Sequence, residues 1–190
     1  MRGMFQYAQN FNEDLNTWDV SAVEDMSYMF QNTQFNGDID QWDVSSVENM
    51  SYMFQENYQF DQDLNDWDVS SVVSMQGMFS YTYQFDGDIS AWDVSSVEDM
   101  SYMFQESYQF DQDLNDWNVS SVVTMEGMFY YANNFDGDIS SWDVSSVENM
   151  VSMFHYAGQF DQDIGNWDVS SVEFMDNMFY GANSFDQDIG

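Results

Sequence analysis

The sequence predicts an α/β solenoid of about seven and a half 25-residue coils, each a short parallel strand followed by a one- to two-turn helix. Three observations lead there. Every Trp recurs at a fixed interval, at positions 18, 42, 67, 92, 117, 142 and 167, with the interval shortened by one residue only once. All 16 Met fall in two columns that begin with Met1 and Met4, and 16 of the 17 Phe fall in two columns that begin with Phe5 and Phe11. Repetition this regular marks coils that stack upon one another, because a single repeat cannot bury its own apolar face.

Within one repeat the elements follow in order. Trp92-Asp93-Val94 alternates apolar and polar residues, the pattern of a strand with one buried face. Ser95 and Glu98 then stand at the spacing of a helix capping box, as do Ser21 and Glu24, Ser45 and Glu48, Ser145 and Glu148, and Ser170 and Glu173. Val97, Met100, Met103 and Phe104 follow three and four apart, as on one face of a short helix. Stacked strands would advance the coil by roughly 4.8 Å per repeat. Trp, Met and Phe are therefore expected in the core. The linker after Met-Phe is the most variable part and carries Tyr58, Tyr81, Tyr83, Tyr108, Tyr130 and Tyr131. These side chains either present wet phenol tips as an interaction surface or pack laterally on the helix. A second period of 50 overlies the first: FNGD at 35 and FDGD at 85 and 135 alternate with FDQD at 60, 110 and 160. Gly in alternate coils is expected to leave room beside the aspartates.

Composition excludes several functions. Hydrophobic residues make up 44% of the 190, enough for a single domain with a substantial core. Against one Arg and no Lys stand 35 Asp and Glu, a formal charge of −34. Such a surface repels nucleic acid and attracts cations. No Cys is present, and the sole His and sole Arg are His155 and Arg2. Cys–His pairs, Schiff-base lysines and cationic phosphate clamps are thus out of reach. No catalytic residues are assigned and no enzyme is expected. Nor does any segment read as membrane-inserting.

Stacking would draw the acidic residues into files. Asp14, Asp38, Asp63, Asp88, Asp113, Asp138, Asp163 and Asp188 form one, the residues two positions earlier a second, and the Asp after each Trp a third. Neighbouring carboxylates 4.8 Å apart repel by about 0.9 kcal/mol even at the dielectric of water. Asx-turns to backbone amides are one way to hold them. Asn12, Asn36 and Asn118 in the second and third files point to hydrogen bonding rather than charge. Calcium bridging between coils is the other way, since hard cations take carboxylate oxygens in irregular geometry. The candidate ligand pairs are Asp61 with Asp63, Asp86 with Asp88, Asp111 with Asp113, Asp136 with Asp138, and Asp161 with Asp163.

The string FDQDLNDWDVSSVVSMQGMF resembles the repeat of the BspA-like leucine-rich-repeat surface proteins, including the mycoplasma lipoprotein-type repeats. Trp-Asp-Val-Ser, the spaced Met pair and Phe-x-x-Asp recur together along the whole chain, with Asn118 in place of Asp once. The resemblance implies a leucine-rich-repeat-like solenoid at the cell surface or outside the cell, tied to adhesion and partner binding. From it we expect a structural scaffold for protein–protein interaction, adhesion or end-to-end filament assembly, the alternative being an acidic calcium- or mineral-binding module. Expected partners are a protein or surface ligand, the chain itself stacked head to tail, and cations. The repeat register at Met1 and Gly190 leads us to expect a module of a longer or polymeric assembly.

Overall fold

The computed structural model describes residues 1–190 and contains neither a helix nor an extended strand. Regular pairing is confined to six isolated parallel bridges running Asp25–Asn49–Ser74–Asp99–Thr124–Asn149–Phe174. The expected α/β leucine-rich-repeat solenoid of strand-plus-helix coils is therefore not what forms. Each repeat is instead a chain of tight turns, and successive repeats lie one above another.

Residues 60–85 show how one coil is built. Backbone N–H groups of Trp67, Val72, Met78, Ser80, Thr82 and Phe85 donate to the carbonyls three residues earlier, closing six turns in one circuit. Where a helix was expected, the turns 75–78, 77–80 and 79–82 overlap in steps of two residues. The third residue of the first and last of these has a positive φ, 57° at Gly77 and 59° at Tyr81, as a type II turn requires. The same two positions are left-handed in every coil. Tyr28, Tyr52, Tyr102 and Ser152 repeat the first, and Tyr7, Asn32, Glu56, Glu106, Tyr131 and Tyr156 repeat the second. Apolar spacings of three and four match a helical face, but these φ values break any helix. A left-handed non-glycine residue costs roughly 1 to 2 kcal/mol, so something must hold it there.

That something is the neighbouring coil. Met75, Gly77, Phe79 and Tyr81 donate their N–H groups to the carbonyls of Asp99, Ser101, Met103 and Gln105 at 2.7–2.9 Å. The carbonyls of Ser74, Gln76, Met78 and Ser80 accept in turn from Met50, Tyr52, Phe54 and Glu56 of the preceding coil. Every second peptide thus stands along the stack, its C=O toward the N-terminal coils and its N–H toward the C-terminal ones. Four such ladders run in the same direction. One ladder runs the other way, at the bridge residues, where Val73 and Ser74 share the carbonyl of Glu48.

The expected capping boxes dissolve with the helices. Ser45, for example, turns its N–H and its Oγ to Oδ1 of Asp43, two residues back, at 3.2 and 2.6 Å. Inside the coils lies one continuous core of 51 buried apolar residues. It consists of the Trp, Met and Phe columns together with Val and the Leu or Ile of each repeat. Phe rings in successive coils stack with centroids 5.5–5.8 Å apart from Phe5 through Phe30, Phe54, Phe79, Phe104, Phe129 and Phe154 to Phe179. From Trp42 to Trp142, each indole Nε1 donates to the Leu or Ile carbonyl of the preceding coil, as in Trp92 to Leu64 at 2.8 Å.

Close approaches explain the 50-residue period. A Cβ on Gly87 or Gly137 would stand 2.3 or 2.1 Å from the carbonyl oxygen of Gln62 or Gln112 in the coil before. Gly there makes room for that carbonyl rather than for the aspartates. Likewise a Cβ on Gly77 or Gly127 would fall 2.6 or 2.5 Å from the ring of Tyr52 or Tyr102. Large and small residues alternate because each coil leans on the next. Ser152 occupies the left-handed position that Gly77 and Gly127 hold. Ser152→Gly should therefore raise unfolding stability by up to about 1 kcal/mol in urea titration. Gly77→Ala, strained in φ and clashing with Tyr52, should lower it by about 2 kcal/mol or more. The opposite signs would refute the turn geometry.

Candidate functional site

The aspartates of the opening motif are drawn into files, and the files are knitted by hydrogen bonds. Oδ1 of Asp61, Asp86, Asp111, Asp136 and Asp161 accepts the backbone N–H of the equivalent residue one coil later, at 2.8–3.1 Å. Asn12 and Asn36 begin the same ladder with their side-chain oxygens. Gln112, Gln162 and Gln187 add a second bond to Oδ1 of Asp86, Asp136 and Asp161. The ungapped file behaves in two ways, with two of its eight members reaching forward and six closing turns. Asp63 and Asp113 reach forward to the N–H of Asp88 and Asp138 at 2.9 Å. Asp88, Asp138 and Asp163 instead accept from the N–H two residues on, in Ser90, Ser140 and Gly165. The second file thus connects coils, while the ungapped file mostly closes turns.

The third file is the most uniform. Asp19, Asp43, Asp68 and Asp143 accept from both the N–H and Oγ of the Ser two residues later. Asn118 makes the same two bonds to Ser120 at 3.2 and 2.7 Å, so a neutral amide serves equally. The Ser contacts hold the carboxyls of Asp19, Asp93, Asp143 and Asp168 below the usual range. Asp161 is lowered too, first by the N–H of Asp186 and then by Gln187. Asp111 goes the other way. Loss of water around its carboxylate between the coils pushes it up, and the charges of Asp136 and Asp86 add to the rise. Across all these files no three acidic or histidine side chains converge as a metal-binding group. The five candidate calcium pairs lie along the ladder with Oδ1 engaged.

The tyrosines gather on one lateral ridge. Tyr58, Tyr83 and Tyr108 stack at 5.0 and 4.9 Å between centroids, and Tyr81 meets the edge of Tyr83 at 6.5 Å. Tyr130 and Tyr131 lie further up, 4.9 Å apart, with Tyr131 stacked on Tyr156 at 4.6 Å. Glutamates thread the ridge. Tyr108 donates its hydroxyl to Glu106 at 2.6 Å, which with loss of hydration raises its phenol well above the ordinary value. Tyr102 donates to Glu126 and is raised as well, first by loss of hydration and then by that bond. Tyr58, Tyr81, Tyr83 and Tyr130 are also raised, chiefly by partial burial. Tyr58 remains 39% exposed, so the ridge is open to solvent. Two members were missed by sequence reading. Tyr102 lies at a left-handed turn position rather than in the linker, and His155 slots between Tyr130 and Tyr180 at 4.7 and 5.0 Å. The signal for His155 was its column, shared with Tyr130 and Tyr180.

A carboxyl raised on folding destabilises the fold once ionised, and stability returns as pH falls through its folded value. Asp111→Asn keeps the oxygen that accepts from Asp136 and removes the repulsion. It should add about 0.5–1 kcal/mol at pH 7 after allowance for screening. The gain should shrink as pH falls through the folded value and be lost in acid, where the wild-type carboxyl is protonated in both states. Paired urea titrations at pH 7 and pH 3 read it.

No helix of the chain is long and apolar enough to cross a membrane. No curated protein and no solved structure matches the sequence at a significant level. The family model described as "Mycoplasma protein of unknown function, DUF285" does match, over residues 1–117 and again over 106–190. Between them the two matches account for the whole repeat array, and the chain belongs to the DUF285 family.

Proposed function

We propose that the chain is a non-enzymatic scaffold of a cell-surface or extracellular protein, whose tyrosine–glutamate ridge engages a basic protein surface. The observation that supports this most directly is the stack of Tyr58, Tyr83 and Tyr108 with Glu106 bonded to it. Tyr is suited to such faces because it offers wide contact area at little entropic cost. Stacked phenol edges between carboxylates accept Arg and Lys from a partner through both charge and ring faces. The net charge of −34 favours the same class of partner at long range. Resemblance of the repeat to BspA-like surface proteins supports the location and the adhesive role.

A random peptide library panned on the chain tests the reading. Arg- and Lys-rich, aromatic-containing peptides should be recovered, and Tyr83→Ala with Tyr108→Ala should weaken them about tenfold or more. Recovered peptides indifferent to the double variant would refute the ridge as the binding face.

A second reading, calcium or mineral binding along the acidic files, is favoured by one feature. Only Oδ1 of Asp61, Asp86, Asp111, Asp136 and Asp161 is engaged in the inter-coil ladder, which leaves Oδ2 for cations. Calcium should then raise the melting midpoint more than sodium at equal ionic strength. Equal shifts would mean screening alone.

A further inference from the structure

The repeat loses a residue at one place, the linker of the second coil, and the loss leaves a notch in the side of the stack. QNTQF at 31 to 35 stands against QENYQF at 55 to 60, and the residue it lacks falls in the column of Tyr58, Tyr83 and Tyr108. In the full-length linkers the N–H groups of Phe60 and Phe85 donate to the carbonyls of Asn57 and Thr82, three residues back. In the short one Phe35 donates instead to Oγ1 of Thr33, whose hydroxyl bonds to the carbonyl of Phe30. The backbone closes its turn without the residue, and the phenol stack begins abruptly at Tyr58.

On the side of Tyr58 away from Tyr83 lies a cavity of about 160 Å³, lined by Gln9, Asn32, Thr33, Gln34, Glu56 and Tyr58. Tyr58 is exposed there, whereas Tyr83 and Tyr108 deeper in the stack are half-buried. The carboxylate beside it is also turned toward the gap. Glu106, two residues before Tyr108, is occupied by that residue's hydroxyl at 2.6 Å. Glu56, two residues before Tyr58, is held instead through Oε2 by the side-chain amide of Asn32 in the preceding coil. The only Arg of the chain lies over Tyr28, so no basic side chain neutralises Glu56.

We propose that this notch binds one guanidinium group, the side chain of an arginine on a protein partner, laid flat on the open face of Tyr58 and bonded to Glu56. A planar group is what the column lacks. Tyr58, Tyr83 and Tyr108 stack at 5.0 and 4.9 Å, and a flat cation continues that series with its charge over the ring. Asn32 engages Oε2 alone, which leaves Oε1 of Glu56 as an acceptor for a charge-assisted bond. Amide oxygens such as that of exposed Gln34 can take further N–H groups of the fork. A lysine fits less well, because its ammonium is a compact and strongly hydrated point charge that does not stack. An apolar ring would strip water from Glu56 and give it no partner. The inference rests on the tyrosine-ridge reading for the basic character of the partner, and adds which side chain that partner offers and where.

Titration of the isotope-labelled chain with N-acetyl-arginine amide, followed by amide chemical shifts, tests it. Saturable shifts should centre on Asn32, Glu56 and Tyr58, and N-acetyl-lysine amide should bind about threefold more weakly or worse. Glu56→Gln should weaken the arginine probe about fivefold, while Glu148→Gln, which removes the same charge elsewhere, should change it less than about twofold. Insertion of a Tyr between Thr33 and Gln34 should fill the notch and abolish the shifts. Amide spectra of the variants check that each remains folded, and Glu56→Gln carries the test if the insertion does not. Arginine shifts spread over the acidic files without saturation would overturn the proposal, as would equal lysine binding or indifference to Glu56→Gln. Failure here is distinct from failure of the ridge. Library peptides lost with Tyr83→Ala and Tyr108→Ala, but no arginine shifts at Asn32, would remove the notch and keep the ridge. Saturable arginine shifts at the notch, with peptides indifferent to that pair, would support the notch and remove the ridge.

Discussion

Everything in this molecule depends on backbone hydrogen bonds that leave one coil and end on the next. Local turns alone would not persist, because two residues in each coil sit at positive φ and most of them are not glycine. The forward ladders compensate. They give each flipped peptide a partner on both sides, as at Gly77, whose N–H reaches Ser101 while the neighbouring carbonyl of Gln76 receives Tyr52. Turn and ladder are one device. The turn flips alternate peptides onto the stack axis, and the ladder rewards the flip.

Side chains reinforce the same direction of contact. Aspartate oxygens join the amide of the following coil, indole nitrogens join carbonyls of the preceding one, and aromatic rings stack at the spacing the ladders impose. The acidity is thus partly structural, since carboxylates acting as acceptors stitch coils together. Asn12, Asn36 and Asn118 perform the same task without charge. Beside the charged files, Tyr58, Tyr83 and Tyr108 stack into a ridge of aromatic faces.

How far the sequence revealed this differs from feature to feature. The columns were legible, because identical residues at a fixed interval must superpose when coils stack. So was the burial of Trp, Met and Phe, and the alternation of Gly with Gln pointed to a paired unit. Local conformation was not legible. Val97, Met100, Met103 and Phe104 carry a helical spacing, yet overlapping turns place the same residues inward with the backbone running differently. Nothing in Tyr81 or Glu106 announces a positive φ, since only Gly and Asn usually mark it. The Ser-x-x-Glu spacing misled for a related reason: Ser45 and its equivalents bond backward to Asp43 and its equivalents, an Asx-type contact that suits a turn as well as a helix cap. In the site, the files of Asp were visible, but their reach from coil to coil needed coordinates. Tyr102 and His155 joined the ridge only once the columns were seen in space.

The most direct measurement is of scalar couplings across hydrogen bonds in the isotope-labelled protein. Couplings should connect the amides of Met75, Gly77, Phe79 and Tyr81 to the carbonyl carbons of Asp99, Ser101, Met103 and Gln105. Couplings from these amides to carbonyls four residues earlier in their own coil, as in a helix, would contradict the account.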